Sequence, residues 1–209
     1  MNKNLLILGA GQYGTVVKEI AVSMCCFEKI SFLDDSFNAD NSENKYCEKA
    51  IGKLEECENY SIEYSYAIVA IGNAEVRKQW TDRLVEAGFK IPVLVSSKAF
   101  VGRTAQLGYG VVVEPMAVVH ENVLVGMGSF ISAGAVVNHN SIVGSYCHID
   151  NNAVVMRGAQ MSSMGYLEPL QIARKEPVTH QQNEKGDFET KEISKRTPVG
   201  DGYDFDDVM

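Results

Sequence analysis

The pattern of apolar and polar positions changes period twice along the chain. From residue 95 to 166 a branched or long apolar side chain returns at every sixth position: Val95, Val101, Leu107, Val113, Val119, Val125, Ile131, Val137, Val143, Ile149, Val155 and Met161. Four places after each anchor the residue is usually small: Ala99, Ala105, Ala117, Ser129, Ala135, Ser141, Cys147, Ala153, Ala159 and Gly165. Val111 and Val123 depart from that second rule. A helical period would scatter these positions around an axis, and a plain strand repeats at two. A hexapeptide beat of this length predicts a parallel β-helix, in which the anchor fills a narrow triangular prism and the small residue sits near a corner. Three hexapeptides close one coil, giving about four coils of about eighteen residues.

Before the beat, short apolar runs alternate with amphipathic ones. Leu5–Leu8 predicts a strand ending in Gly9-Ala10-Gly11, followed by a helix over Thr15–Met24. Ile30–Leu33 predicts a second strand, closed by Asp34-Asp35, and Tyr66–Ile71 a third, ended by Gly72-Asn73. Ala74–Ala87 reads as a helix with Val76, Trp80, Leu84 and Val85 on its buried side, stopped by Gly88. Strand–helix–strand order with short apolar strands implies a parallel sheet. The stretch 34–64 is polar and predicts loop, with one short element around Leu54. The expected units are an α/β domain over 1–92, a β-helix over 93–168 and a polar tail over 169–209. Composition alone favours disorder over docking for the tail.

Composition narrows the function classes. The net charge is −8 and the pI about 5.0, which argues against a general nucleic-acid surface. Cys25, Cys26, Cys47, Cys57 and Cys147 form no C-x-x-C pair, so zinc is a poor reading and free thiols in a reducing cytosol a better one. No apolar run approaches the length of a membrane span, and the start of the chain lacks the pattern of a secretory signal. The expected location is the cytoplasm.

Gly9-Ala10-Gly11-Gln12-Tyr13-Gly14 matches G-x-G-x-x-G between a strand and a helix. Its glycines allow a tight turn close to a phosphate, and the helix N-terminus supplies N–H groups and partial positive charge. Asp34 lies at the end of the second strand, where a carboxylate accepts from a ribose. The motif does not separate a dinucleotide from a nucleotide-linked sugar. His139 follows the anchor Val137 by two places, so it should lie near the end of a flat face or at a turn and project outward, as a general base near neutral pH requires. Residues one coil apart should stack, placing Glu121, His139 and Arg157 in one column. His148, one place before an anchor, is assigned to a corner. For His120, His148 and His180 a surface position without a role is the simpler reading.

Together these motifs resemble the bacterial sugar acetyltransferases of the bacillosamine and sialic-acid pathways, including UDP-4-amino-sugar and perosamine N-acetyltransferases. The matching residues are Gly9–Gly14, Phe32-Leu33-Asp34-Asp35, Ala70-Ile71-Gly72-Asn73 with Arg77, and Asn138–Gly144 leading to His148. The resemblance implies a half-Rossmann domain followed by a left-handed β-helix. It also implies a homotrimer with acetyl-CoA held between neighbouring coils, and no metal. It implies that Gly9, Gly11, Gln12, Tyr13, Gly14, Asp34, Asp35, Ala70, Ile71, Gly72, Asn73 and Ser132 hold a UDP-amino sugar. His139 would be the catalytic base, oriented by Asn140, which stands where the family has an acidic residue. His148, Arg157 and Gly158 would face acetyl-CoA, with the Arg157 N–H directed at the thioester oxygen. Two other readings stay open on the residues alone: a trimer that only binds nucleotide-sugar, and an NAD-binding protein.

Overall fold

The computed structural model describes residues 2–37 and 49–175. Cys47, His180 and the tail from residue 176 lie outside the described residues. The first unit comprises β1 (Asn4–Leu8), α1 (Gln12–Ser23), β2 (Lys29–Leu33), β3 (Ala50–Gly52), a 3₁₀ helix (Leu54–Tyr60), β4 (Tyr66–Val69) and α2 (Ala74–Glu86). Its sheet runs β3-β2-β1-β4 with every pair parallel. β1 is central, which explains its unbroken apolar run. Leu5 and Ile7 join the core beneath α1, while Leu6 and Leu8 join the core with Leu84 of α2.

Three local expectations change. α1 begins at Gln12 rather than Thr15, because the extended Gly11 already serves as N-cap. The stretch after Asp34 is not all loop. β3 pairs with β2, and the 3₁₀ helix buries Leu54 and Cys57, three residues apart and so on one side of a three-residue turn. On α2 the fully buried positions are Arg77, Thr81 and Leu84, whereas Val85 is 47% exposed. The surface facing that helix offers carbonyl oxygens, so it takes a guanidinium instead of an apolar stripe.

From Leu94–Val95 to Ile172–Ala173 the chain winds as two-residue strands into three parallel sheets. Each strand pairs with the one eighteen residues on, as in Leu94↔Val112, Val112↔Phe130 and Phe130↔His148. This is the left-handed β-helix architecture. The anchors Leu107, Val113, Val119, Val125, Ile131, Val137, Val143, Ile149 and Val155 form its interior with Ala117, Ala135, Cys147, Ala153 and Ala159. Val111 and Val123 are also fully buried, so the corner accepts valine. The last described strand, Ile172–Ala173, lies past the expected boundary at 168. Ala173 is weakly apolar, yet its strand still pairs with Val154–Val155.

The corners carry a second repeat. Gly110, Met116, Asn122, Gly128, Gly134, Asn140, Tyr146, Asn152, Gly158, Met164 and Leu170 all have positive φ. Each stands three places after an anchor, where the coil turns through the left-handed region.

The residue before each anchor points outward. On the first face those residues are Leu94, Val112, Phe130, His148 and Tyr166. Leu94, Val112 and Phe130 are fully buried in one cluster with Val17, Ile20 and Ala21 of α1, so the α/β unit covers this end of the face. His148 and Tyr166 continue the column beyond it. His148 therefore lies on a flat face within a strand, not at a corner.

Candidate functional site

The glycine loop is shaped by two close approaches. Gly9 has φ +105°, and a side chain there would press on the Ala70 carbonyl at 3.0 Å. A Cβ on Gly14 would lie 2.1 Å from the Gly9 oxygen, so only glycine lets α1 start this near the strand. Asp34 braces the same loop. Its Oδ2 accepts the Ala10 N–H at 2.8 Å and its Oδ1 the Ser36 N–H at 2.8 Å. Burial opposes the Asp34 charge, but the bonds from Ser36 and Ala10 outweigh it and hold the carboxyl below its ordinary range. Asp35 is exposed beside it.

Ala70 is buried, and its N–H donates to the Leu8 carbonyl at 2.7 Å. Asn73 caps α2, its Oδ1 accepting the Val76 N–H at 3.0 Å. The carbonyls of Ile71 and Gly72 both accept from Arg77 Nη1 at 2.8 Å. Arg77 also donates through Nε to the Gly128 carbonyl at 2.8 Å and through Nη2 to the Tyr146 carbonyl at 2.9 Å. Its guanidinium lies 4.0 Å above the Phe130 ring. At 1% exposure it has no carboxylate partner among the described residues, and burial lowers its pKa to about 10, which still leaves it charged at neutral pH. One side chain thus ties the loop after β4 to two coils of the β-helix.

Beyond Phe130 lies a polar cluster. Tyr13, from the glycine loop, stacks on Phe130 with centroids 4.5 Å apart and sits 6.4 Å from the His148 ring. Tyr13 Oη is buried and forms no hydrogen bond among the described residues. Ser132 Oγ and His148 Nε2 are 2.9 Å apart. Glu114 is 7% exposed, and its Oε2 accepts the Ala133 N–H at 3.2 Å. Burial pushes the Glu114 carboxyl up, against the hydroxyls of Ser132 and Tyr13. Burial pushes the His148 imidazole down; Asp150 opposes this and Arg77 adds to it. Asp150 in turn accepts from Tyr166 Oη at 2.6 Å. The structure therefore brings Tyr13, Ser132 and His148 together. Sequence reasoning missed Glu114, which precedes Pro115 at a corner and carries no motif.

His139 stands elsewhere. It is exposed at the corner between the Val136–Val137 and Ile142–Val143 strands, opposite the face covered by the α/β unit. Asn140 Nδ2 lies 3.1 Å from its Nδ1. An asparagine serves either tautomer: its NH₂ donates to a bare Nδ1, and its carbonyl accepts from Nδ1–H. Asn140 has φ +60°, so the corner itself favours this residue. The expected column holds: the Asn140 N–H reaches the Glu121 carbonyl, and the Gly158 N–H reaches the His139 carbonyl, both at 3.3 Å. Gly158 is thereby engaged, and the Met156 N–H donates to Ala173. Among the described residues the Arg157 N–H has no acceptor, which leaves it available beside His139. His120 packs edge-on against Phe100 and lies 3.9 Å from Glu121.

Known structures share both parts of this chain, a small α/β unit and the left-handed hexapeptide coil to one face of which it is fixed. Residues 4–84 match the PglD N-terminal domain family. The chain is 28% identical over 114 residues to UDP-N-acetylbacillosamine N-acetyltransferase of Bacillus subtilis (strain 168), an alignment covering 53% of this chain and 51% of the relative. The chain thus spans about half the length of that curated relative. The acetyltransferase domain of PglB from Neisseria gonorrhoeae FA1090 superposes with a TM-score of 0.73 at 28% identity, over 83% of this chain and 92% of that one. The same domain has been solved with acetyl coenzyme A. A perosamine N-acetyltransferase mutant from Caulobacter crescentus, solved with CoA and GDP-perosamine, shares the fold with a TM-score of 0.61 at 17% identity, over 82% and 89% of the two chains. The resemblance to the nucleotide-sugar acetyltransferase family therefore holds across both units of the chain. Among the described residues no cluster of metal-ligating side chains occurs, and no helix is long and apolar enough to cross a membrane.

Proposed function

We propose that the protein transfers the acetyl group of acetyl-CoA to the amine of a UDP-linked amino sugar, in the cytoplasm, for bacterial surface-glycan synthesis. The observation that carries this reading is the exposed His139 beside the unpaired Arg157 N–H, one coil further along the same corner. An ammonium has no lone pair, so a base must take its proton before attack. With the Asn140 carbonyl turned to Nδ1–H, His139 Nε2 is that base. The amine attacks the thioester, and the Arg157 N–H donates to the oxyanion that forms. The intermediate then collapses: the C–S bond breaks, the nitrogen sheds its second proton to water, and the CoA thiolate leaves as the thiol with the proton held by His139. A donor set for developing charge lowers such a barrier by about 3–4 kcal/mol. The glycine loop, Asp34, Asp35 and residues 70–73 would hold the nucleotide-sugar, and His148 would face the acetyl-CoA arm.

His139 and the glycine loop of one chain stand on opposite sides of the prism. Both can serve one reaction only if His139 of one copy meets the α/β unit of a neighbour, which supports a homotrimer with sites between coils. The outward column Phe100, Val118, Val136, Val154 and Ile172 supports it too. Calorimetric titration with acetyl-CoA, with NAD as control, tests the reading. Saturable micromolar binding of acetyl-CoA alone is expected. Binding of neither would leave a nucleotide-sugar-binding protein, and binding of NAD alone would mark a different class.

A further inference from the structure

The cluster around Glu114 contains a hydroxyl between a carboxylate and an imidazole. Ser132 has one proton to give. Near it lies the Glu114 carboxylate, whose Oε2 accepts the N–H of the next residue, Ala133, at 3.2 Å and on which the Ser132 hydroxyl also acts. His148 Nε2 lies 2.9 Å from the Ser132 Oγ. A carboxylate only accepts, so a Ser132 proton turned to Glu114 leaves Oγ free to accept from the ring. Nε2 must then carry the hydrogen.

We propose that Glu114 is a positioning residue that acts through Ser132 to fix His148 as the Nε2–H tautomer, leaving Nδ1 as the ring's acceptor. The surroundings agree. Tyr13 from α1 brings a second hydroxyl whose environment includes the same carboxylate, and among the described residues its Oη forms no hydrogen bond. Asp150, two residues along from His148 and bound by Tyr166, lowers the cost of positive charge on the ring. Arg77, reaching in from α2, raises it. The consequence for chemistry rests on the acetyltransferase reading: a ligand group that meets His148 Nδ1 must be an N–H or O–H donor. A sugar amine, a sugar hydroxyl or a pantetheine amide qualifies, and a thioester carbonyl oxygen does not. The tautomer itself does not depend on that reading, so the two fail separately.

The test is a long-range ¹H–¹⁵N spectrum of the full chain labelled with ¹⁵N-histidine, with the His148 signals identified by their loss in His148→Gln. In the wild type at pH 8, Nε2 should carry the proton and Nδ1 should show the shift of a bare imine nitrogen. Glu114→Gln keeps one oxygen for the Ala133 N–H and turns an NH₂ toward the hydroxyls. Ser132 then accepts from the amide and donates to His148, so the Nδ1–H form should dominate. Ser132→Ala should remove the preference in either direction. An Nδ1–H signal in the wild type would overturn the proposal, with no variant needed. So would identical tautomers in the wild type and Glu114→Gln.

Discussion

Asn140 does two things at one corner. Its left-handed backbone lets the coil turn, and its amide reaches the ring of His139. It reaches the imidazole and adds no charge, so in the proposed mechanism proton removal rests on the imidazole itself. His139→Ala is expected to lower turnover by roughly 10²–10⁴ with an unchanged thermal melt, the usual yield of general acid–base help. Unchanged turnover would remove His139 from the mechanism. Asp34 offers a pH-dependent readout of the glycine loop. Its carboxyl is held below the ordinary range, so its stabilising effect is complete above the unfolded value. That effect is lost as pH falls through the lower folded value. Asp34→Asn should therefore melt below the wild type at pH 7, and the gap should close in acid. A gap that stays constant with pH would mean the Asp34 charge does not hold the loop.

Among the elements, those with a local period are legible in the order of the amino acids alone. The hexapeptide anchors, β1, β2, β4 and both helices follow from residue spacing, because each buries a face that repeats along the chain. The left-handed corners carry a local signal too, since Gly or Asn stands there at Gly110, Asn122, Gly128, Gly134, Asn140, Asn152 and Gly158. What escapes depends on distant partners. Arg77 enters the sequence reading only through the family resemblance, because two of its acceptors lie 51 and 69 residues away and no local pattern encodes them. Glu114 escapes for the same reason, as its neighbours come from α1 and from the next coils. The corner rule has its own test. Met116 turns through φ +64° while 70% exposed, so it has strain and little packing to lose. Met116→Gly should raise stability by about 0.5–1 kcal/mol in chemical denaturation, after the entropy of glycine is set against the relieved strain. A loss of stability would show that this corner is unstrained.

For the whole molecule, the three outer faces of the prism have different surroundings. One is covered by the α/β unit. One carries Gln106, Leu124, Ile142 and Gln160. The third carries the apolar column, with Phe100 52% and Ile172 46% exposed in the single chain. A contiguous apolar stripe of this kind marks an association surface. If the proposed trimer is correct, Val136→Glu, at the centre of the stripe, should give monomers in analytical ultracentrifugation where the wild type gives trimers. It should also abolish transfer while sparing nucleotide-sugar binding, since the α/β unit is untouched. A monomeric wild type would refute the trimer outright.

Arg77 bears on how the chain comes apart. A coil that touches only its neighbours can unravel piecemeal, and a small α/β unit could melt by itself. The guanidinium binds carbonyls of both units, and neither can release it without leaving a buried cation or orphaned acceptors behind. The two should consequently melt as one cooperative transition in differential scanning calorimetry. Arg77→Met should split that endotherm in two, the α/β unit going first. A single endotherm in the variant would assign the coupling to the apolar contacts of α1 alone.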